Sequence, residues 1–85
     1  MTIEMVYFAW VRERIGKGGE TVAPPAGIST VRNLIDWLAA SSAAHAAAFA
    51  DVTRLRAAVD QTFVGLDASV VDAREVAVFP PVTGG

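Results

Sequence analysis

The final segment of the chain, Phe79-Pro-Pro-Val-Thr-Gly-Gly85, carries residue types that suit an extended tail with an accessible end. The Pro80-Pro81 pair favours polyproline II backbone, so we expect the tail to project away from the fold. Its six residues, 80–85, span roughly 20 Å when fully extended. Gly84 and Gly85 have no Cβ, and this end can therefore enter a channel too narrow for side chains.

The α-carboxylate of Gly85 is the group in this tail that can carry chemistry. It is ionised at neutral pH, and an anionic carboxylate is a poor electrophile. Activation as an acyl-adenylate, made from ATP, removes this obstacle, and a sulfur nucleophile can then displace AMP to leave a thiocarboxylate. A thiocarboxylate is itself nucleophilic, so it suits the delivery of sulfur to a small molecule. We therefore predict a carrier whose reactive group is Gly85, with Gly84 allowing the tail to thread.

The tail closely resembles the C-terminus of the small, sulfur-carrier subunit of molybdopterin synthase. Two further segments are similar to this family: Phe8-Ala-Trp-Val-Arg-Glu13, followed by Gly16, and Ala57-Ala-Val-Asp-Gln-Thr62. The resemblance covers both ends and the third quarter of the chain, whereas residues 39–54 match only in being helical and rich in alanine. One departure is Asp60, where members of the family often have Asn.

The resemblance implies a cycle in which the chain works for other proteins. An E1-like activating enzyme would adenylate Gly85 with ATP, and a sulfur donor protein would convert the adenylate to the thiocarboxylate. The tail would then enter the large catalytic subunit of molybdopterin synthase, in a heterotetramer, and donate sulfur to cyclic pyranopterin monophosphate. Two transfers per pterin form the dithiolene of molybdopterin. The basic residues that bind the substrate phosphate would belong to the partner, and the chain itself would bind no cofactor.

Three phenylalanines are candidates for a docking surface beside the tail. By strand alternation, Phe8 and Phe79 lie on the charged face of their strands, and Phe63 follows the turn at Gln61-Thr62. Exposed aromatic side chains gathered next to a reactive tail would form a hydrophobic docking patch, and the family is similar in having bulky apolar residues at these places. Phe63 is equally open to being a core residue, and the role of Trp10 stays open. The predicted partner-binding residues are Phe8, Phe63, Phe79, Pro80, Pro81, Val82 and Thr83.

Regular elements must position these residues, and hydrophobic periodicity predicts their order. The clearest is a helix with apolar residues at helical spacing, which we expect to lie across a sheet. The predicted elements are a strand over Thr2 to Trp10, a helical turn over Arg12 to Gly16, a strand over Glu20 to Ala23, a helix capped by Ser29 or Thr30, a helical stretch over Ala39 to Ala50 with a new cap at Ser41-Ser42, strands at Arg56 to Val59 and Phe63-Val64, a short strand or connector at Val70-Val71, and a last strand over Glu75 to Phe79.

The order β-β-α-(α)-β-(β)-β predicts an α+β fold of the β-grasp (ubiquitin-like) type, with a mixed sheet packed against one main helix. A ferredoxin-like variant is compatible with the same order. We assign residues 1–79 to the β-grasp domain and residues 80–85 to the tail.

The composition argues against several classes of function. Of the 85 residues 53% are hydrophobic, and none is cysteine, so thiol catalysis and disulfides are excluded. The net charge is −2 and the basic residues are scattered, which argues against nucleic-acid binding. No apolar run approaches the roughly 20 residues of a membrane span. The N-terminus lacks the basic start of a signal peptide, so we expect a cytoplasmic protein that is not bound to a membrane.

Two other functions remain open at this level. One is a ubiquitin-like sulfur carrier of another pathway, such as thiamine thiazole synthesis. The other is a non-covalent adaptor that binds through Phe8 and Phe79 and never uses its terminus. A self-contained enzyme is the least favoured alternative, because His45 is the single histidine and has no second ligand or base near it in the sequence.

Overall fold

A five-stranded mixed sheet organises the molecule in the computed structural model, which describes residues 1–81. The strand order is β2-β1-β5-β3-β4. The central pair, β1 and β5, is parallel, and the other pairs are antiparallel. The elements in chain order are β1 (Ile3–Tyr7), α1 (Ala9–Ile15), β2 (Gly19–Val22), α2 (Val31–Ala39), α3 (Ala43–Ala48), a 3₁₀ turn (Val52–Arg54), β3 (Arg56–Val59), β4 (Thr62–Val64) and β5 (Glu75–Phe79).

This arrangement is the β-grasp architecture that the element order predicts. The hairpin of β1 and β2 is followed by helices, and the chain then returns through β3 and β4 before β5 enters the sheet between β1 and β3. No helix within residues 1–81 has the length and apolar character required to span a bilayer.

The core lies where one face of the sheet meets the helices. On β1, Ile3, Met5 and Tyr7 are buried and alternate with more exposed residues, as the period of two predicts. The apolar stripe of α2 is also buried, which confirms that this helix packs on the sheet. That stripe consists of Val31, Leu34, Ile35 and Leu38.

Hydroxyl and amide side chains define where α2 and α3 begin. Thr30 is the N-cap of α2, since its side chain accepts a hydrogen bond from the Asn33 backbone N–H at 3.1 Å. The Asn33 side-chain oxygen accepts in return from the Thr30 N–H at 3.3 Å, which completes a capping box. The Ser42 side chain accepts a hydrogen bond from the His45 backbone N–H at 3.1 Å and so caps α3, which confirms the predicted interruption at Ser41-Ser42.

The predicted strand from Thr2 to Trp10 is wrong in its second half. The strand ends at Tyr7, and a helix already begins at Ala9, which has a positive φ of 52°. Val11 and Ile15 are buried one helical turn apart. This helical spacing of buried residues, and not the apparent period of two, determines the structure of the segment. The predicted helical turn therefore starts earlier than expected and ends at Ile15, with Gly16 as a left-handed C-cap at φ 92°.

Asp60 connects the β3–β4 hairpin to the start of β5. Asp60 and Gln61 have φ values of 49° and 70°, as in the tight two-residue turns that suit twisted hairpins. One oxygen of Asp60, Oδ1, accepts the backbone N–H groups of Arg74 and Glu75, each at 2.9 Å. Asn has an equivalent oxygen, so an Asn at this position would also accept these two hydrogen bonds.

A polar cluster is enclosed between β1, β2 and α3. Glu20 accepts a hydrogen bond from the Tyr7 hydroxyl at 2.7 Å, and its Oε2 lies 2.6 Å from Nε2 of His45. The other ring nitrogen of His45 lies 2.6 Å from the Ser42 hydroxyl, and Lys17 pairs with Glu20 at 3.1 Å. His45 has no second ligand or base near it in the sequence, and the carboxylate that it contacts lies 25 residues away.

The cluster changes the acidity of two of its members. Burial alone would raise the pKa of Glu20, but hydrogen bonds from His45, Tyr7 and Lys17 outweigh it and hold that pKa below its usual value. Burial raises the pKa of Tyr7, and the hydrogen bond to Glu20 and its negative charge act in the same direction. Tyr7 thus stays a neutral donor, and Glu20 stays an anionic acceptor.

We expect Glu20→Gln to lower the free energy of unfolding by about 1–2 kcal/mol at pH 7, because the variant loses charge-assisted hydrogen bonds. The folded-state pKa of Glu20 lies below its unfolded value, so the folded protein binds fewer protons. Its contribution is therefore complete above the unfolded value of 4.5 and is lost as the pH falls through the lower folded value. Urea denaturation measures the free energy of unfolding of the variant and of the unmodified protein. The difference between the two values should become smaller in this acidic range.

The matched control is Glu4→Gln, which removes an exposed carboxylate from the same hairpin. It should change the free energy of unfolding by less than about 0.5 kcal/mol. Equal losses in the two variants would contradict the special role of the enclosed cluster.

Candidate functional site

Three phenylalanines meet at the edge of the sheet from which the chain leaves β5. The ring centroid of Phe79 lies 5.7 Å from that of Phe63 and 6.4 Å from that of Phe8. Phe63 is 80% exposed and Phe8 is 50% exposed, whereas Phe79 between them is partly buried. Phe63 is therefore not a core residue, which settles the alternative that the sequence leaves open.

Strand register explains why these rings converge. Phe79 is directly opposite Arg56 of β3, and Phe63 is directly opposite Ala58. Ala58 is in turn opposite Ala77 of β5, so one open face carries both phenylalanines with small residues between them. The small side chains leave room for the two large rings to approach each other.

Phe8 reaches the same place by a different route from the predicted one. It is the N-cap residue of α1 and does not lie on a strand, so the alternation that placed it on the charged face of β1 does not apply. Tyr7 ends β1 opposite Val78 of the parallel strand β5, and the next residue of each strand therefore lies at the same edge. This brings Phe8 beside Phe79.

The aromatic rings line an open apolar groove of about 340 Å³, which we call the phenylalanine groove. Pro80 and Pro81 continue its wall, so the groove runs directly into the segment that precedes the predicted tail. An exposed apolar surface of this kind, with aromatic residues at its centre, is typical of a protein–protein contact. The residues that line it are Phe8, Ala9, Phe63, Phe79, Pro80 and Pro81.

The structure thus brings together five of the predicted site residues. The others lie outside the described residues 1–81, and they are Val82, Thr83, Gly84 and Gly85. In the described part of the chain, no three His, Cys, Asp or Glu side chains are grouped so that they could hold a metal ion. The groove can bind a partner, but its lining residues carry no acid, base or nucleophile.

A second surface feature, which the sequence prediction missed, lies on α1. The guanidinium carbon of Arg14 is 4.5 Å from the ring centroid of Trp10, and that of Arg54 is 5.1 Å from the same centroid. The spacing of Trp10 and Arg14 was a usable signal, since residues four apart on a helix are neighbours. Arg54 had no such signal, because it comes from the 3₁₀ turn far along the chain.

Comparison with known proteins identifies the family of the chain. The sequence pattern of the ThiS family matches residues 5–85. The chain belongs to the ThiS family. A relative from Escherichia coli (strain K12), named molybdopterin synthase sulfur carrier subunit, is 46% identical over 83 residues, which are 98% of this chain and 99% of the relative.

Solved structures confirm the β-grasp fold of this ThiS-family chain. The crystal structure of SAMP1 from Haloferax volcanii superposes with a TM-score of 0.74 at 26% identity, and the match covers 100% of both chains. A structure from Pyrococcus furiosus has a TM-score of 0.71 at 26% identity, over 96% of this chain and 99% of the other.

The exposure of Phe63 yields a test of the fold that is independent of any partner. Phe63→Ala should lower the free energy of unfolding by less than about 1 kcal/mol, because most of the ring is already in water. Phe49→Ala removes the same atoms from a ring that is only 4% exposed, and it should cost about 3–5 kcal/mol. Urea denaturation measures both, and a large loss for Phe63→Ala would mean that its ring belongs to the core.

Proposed function

We propose that this protein is the sulfur carrier subunit of molybdopterin synthase and that its reagent is the C-terminal carboxylate of Gly85. The observation that carries the proposal is the 46% identity, over almost the whole chain, to a subunit of that name. The exposed phenylalanine groove supports it, because a surface suited to a protein partner lies directly before the Pro-Pro-Val-Thr-Gly-Gly85 segment.

The first step activates the C-terminal carboxylate and converts it to a thiocarboxylate. An oxygen of the Gly85 carboxylate attacks the α-phosphorus of ATP on an E1-like activating enzyme, and pyrophosphate leaves. Hydrosulfide, or its equivalent from a sulfur donor protein, then attacks the carbonyl carbon of the acyl-adenylate, AMP leaves, and a proton is lost to give the thiocarboxylate. This chain supplies the carboxylate and the docking surface, and the enzyme supplies ATP and the catalytic groups.

The second step transfers the sulfur to the substrate. The thiocarboxylate sulfur of Gly85 attacks a carbon of the pterin precursor, cyclic pyranopterin monophosphate, in the large catalytic subunit. As the carbon–sulfur bond forms, the bond from that carbon to an oxygen substituent breaks, and the oxygen takes the bonding electrons and a proton. Water then attacks the carbonyl carbon, the bond from that carbon to sulfur breaks, and the carboxylate of Gly85 is restored. Two such transfers supply the two sulfurs of the dithiolene, so a carrier must dock and leave for each one. The assembly in which this takes place is a heterotetramer of small and large subunits.

The phenylalanine groove has a defined part in this cycle. Residues 80–85 span roughly 20 Å when extended, so docking at the groove would place Gly85 deep inside a partner while the globular domain stays outside. Aromatic anchors at the centre of an interface commonly provide much of its binding free energy. We therefore assign binding to the groove and chemistry to the terminus, in a cycle that takes place in the cytoplasm.

The proposal predicts that the chain gains about 16 Da, as oxygen is replaced by sulfur through displacement of the adenylate, when it is incubated with the activating enzyme, ATP and a sulfur source. Intact-mass analysis measures this gain, and omission of ATP is the control. A chain whose Gly85 ends in an amide should show no gain, because an amide cannot attack ATP as a carboxylate does. A gain in mass by the amidated chain would contradict the proposal.

Genetic rescue separates this function from its alternatives. The chain should restore molybdenum-enzyme activity, and not thiazole synthesis, in cells that lack the respective carrier. Removal of Gly85 should abolish the rescue while leaving binding to the large subunit largely intact. An adaptor that never uses its terminus would still function without Gly85.

Binding to the large subunit should depend on the groove. We expect Phe63→Ala to weaken the complex about tenfold or more, as measured by titration calorimetry, because the ring is an exposed anchor of the docking surface. Val71→Ala is the matched control, since Val71 is 58% exposed and lines a different depression with Met1 and Ile3. Equal weakening by both substitutions would argue against the groove as the docking surface.

A further inference from the structure

Two arginines converge on the aromatic ring of Trp10, which follows the groove residues Phe8 and Ala9 in the chain. The guanidinium carbons of Arg14 and Arg54 lie 4.5 Å and 5.1 Å from the ring centroid of Trp10. The two positive charges are therefore within about one Debye length, 10 Å, of each other and repel. Both side chains are exposed, and within residues 1–81 neither forms a salt bridge with a carboxylate.

The carboxylate nearest to Arg54 in sequence is already engaged. Asp51 caps the 3₁₀ turn that carries Arg54, and its Oδ1 accepts from the backbone N–H of Thr53 at 3.1 Å and from the Thr53 hydroxyl at 2.6 Å. Glu13 is adjacent to Arg14 on α1, and consecutive residues of a helix point in different directions. The hydrogen bonds from Thr53 lower the pKa of Asp51, and Arg54 lies near enough for its positive charge to help lower it. In the part of the chain that the structure describes, neither arginine forms a salt bridge, so both guanidinium groups can bind an external carboxylate.

The Trp10 ring restricts the positions of the two arginines. Trp10 is partly buried against the core, and a guanidinium that stacks on an aromatic face is held by cation–π attraction. Side chains held in this way lose less conformational entropy when they bind. The planar guanidinium group also forms two parallel hydrogen bonds with a carboxylate, which favours this acceptor geometrically.

Arg56 links this pair to the phenylalanine groove. It is directly opposite Phe79 in the sheet and lines a depression with Phe63 and Phe79. One of its terminal nitrogens donates to the carbonyls of Thr53 and Leu55 at 3.1 Å and 2.8 Å, which holds the side chain next to the 3₁₀ turn. Positive charge therefore continues from Trp10 to the edge of the groove.

We propose that Arg14 and Arg54, held against Trp10, bind carboxylate side chains of the large synthase subunit when it docks on the phenylalanine groove. The inference rests on the proposed function. This chain has a net charge of −2, so as a whole it repels acidic surfaces, and the two clustered arginines provide a local site at which carboxylates are attracted instead. The adjoining groove is apolar, which suits a protein interface with a charged rim rather than the phosphate backbone of a nucleic acid.

The test compares two double variants with the same change of net charge. Arg14→Glu with Arg54→Glu reverses the proposed site, whereas Arg32→Glu with Arg74→Glu reverses two exposed arginines elsewhere. Stopped-flow mixing with the large subunit, at about 50 mM and about 500 mM NaCl, measures the association rate constant. We expect the first variant to associate about tenfold more slowly than the second at low salt. At high salt, where charges are screened, the two association rate constants should become more similar.

A third variant separates charge from packing. Arg14→Lys with Arg54→Lys keeps both positive charges, so it should associate within about twofold of the unmodified chain, but it should dissociate faster because the forked hydrogen bonds are lost. Association as slow as that of the glutamate variant would overturn the inference. So would equal slowing by the two glutamate variants, or no slowing by either.

Failure of the inference is distinguishable from failure of the proposed function. If the unmodified chain does not bind the large subunit, the proposed function is wrong and the inference falls with it. If it binds in a manner that depends on Phe63 but not on the arginines, only the inference is wrong. Binding of a single-stranded oligonucleotide that is lost in Arg14→Glu with Arg54→Glu would instead identify a nucleic-acid site and would also overturn the inference.

Discussion

The parallel pairing of β1 with β5 is the constraint on which the rest of the structure depends. The register matches Glu4 with Glu75 and Tyr7 with Val78, so both strands finish at the same edge of the sheet. The chain leaves β1 as Phe8 and leaves β5 as Phe79. A surface for partners and the exit of the tail are consequently formed at one place, and the buried side chains of the two central strands hold that place rigid.

The molecule separates stability from function. Glu20, Tyr7 and His45 form the polar cluster that joins the β1–β2 hairpin to α3, and their hydrogen bonds are directed inward. The phenylalanine groove has the opposite character, since its aromatic rings are left in water, where they add little to folding. Such exposure is costly in a protein that works alone, but it suits one whose chemistry depends on other proteins that dock, act and release it.

Local patterns predicted the elements that depend on neighbours in the sequence. The α2 helix has its full apolar stripe and a cap at Thr30, and β5 lies at Glu75–Phe79, where alternation and the following prolines indicate it. The prediction for the second half of the first strand was wrong because Phe8 and Trp10 continue the period of two that the true strand residues show. Only the burial of Val11 and Ile15, which packing decides, shows that the segment is helical.

By itself the sequence determined the order of elements, the family and the chemistry expected of Gly85, because all of these depend on residue types and short spacings. Tertiary structure alone decided that Phe8, Phe63 and Phe79 share one groove. It likewise decided the pairing of His45 with Glu20 and the convergence of Arg14 and Arg54 on Trp10. These residues are far apart in the chain, and strand order and register, which no local pattern encodes, bring them together.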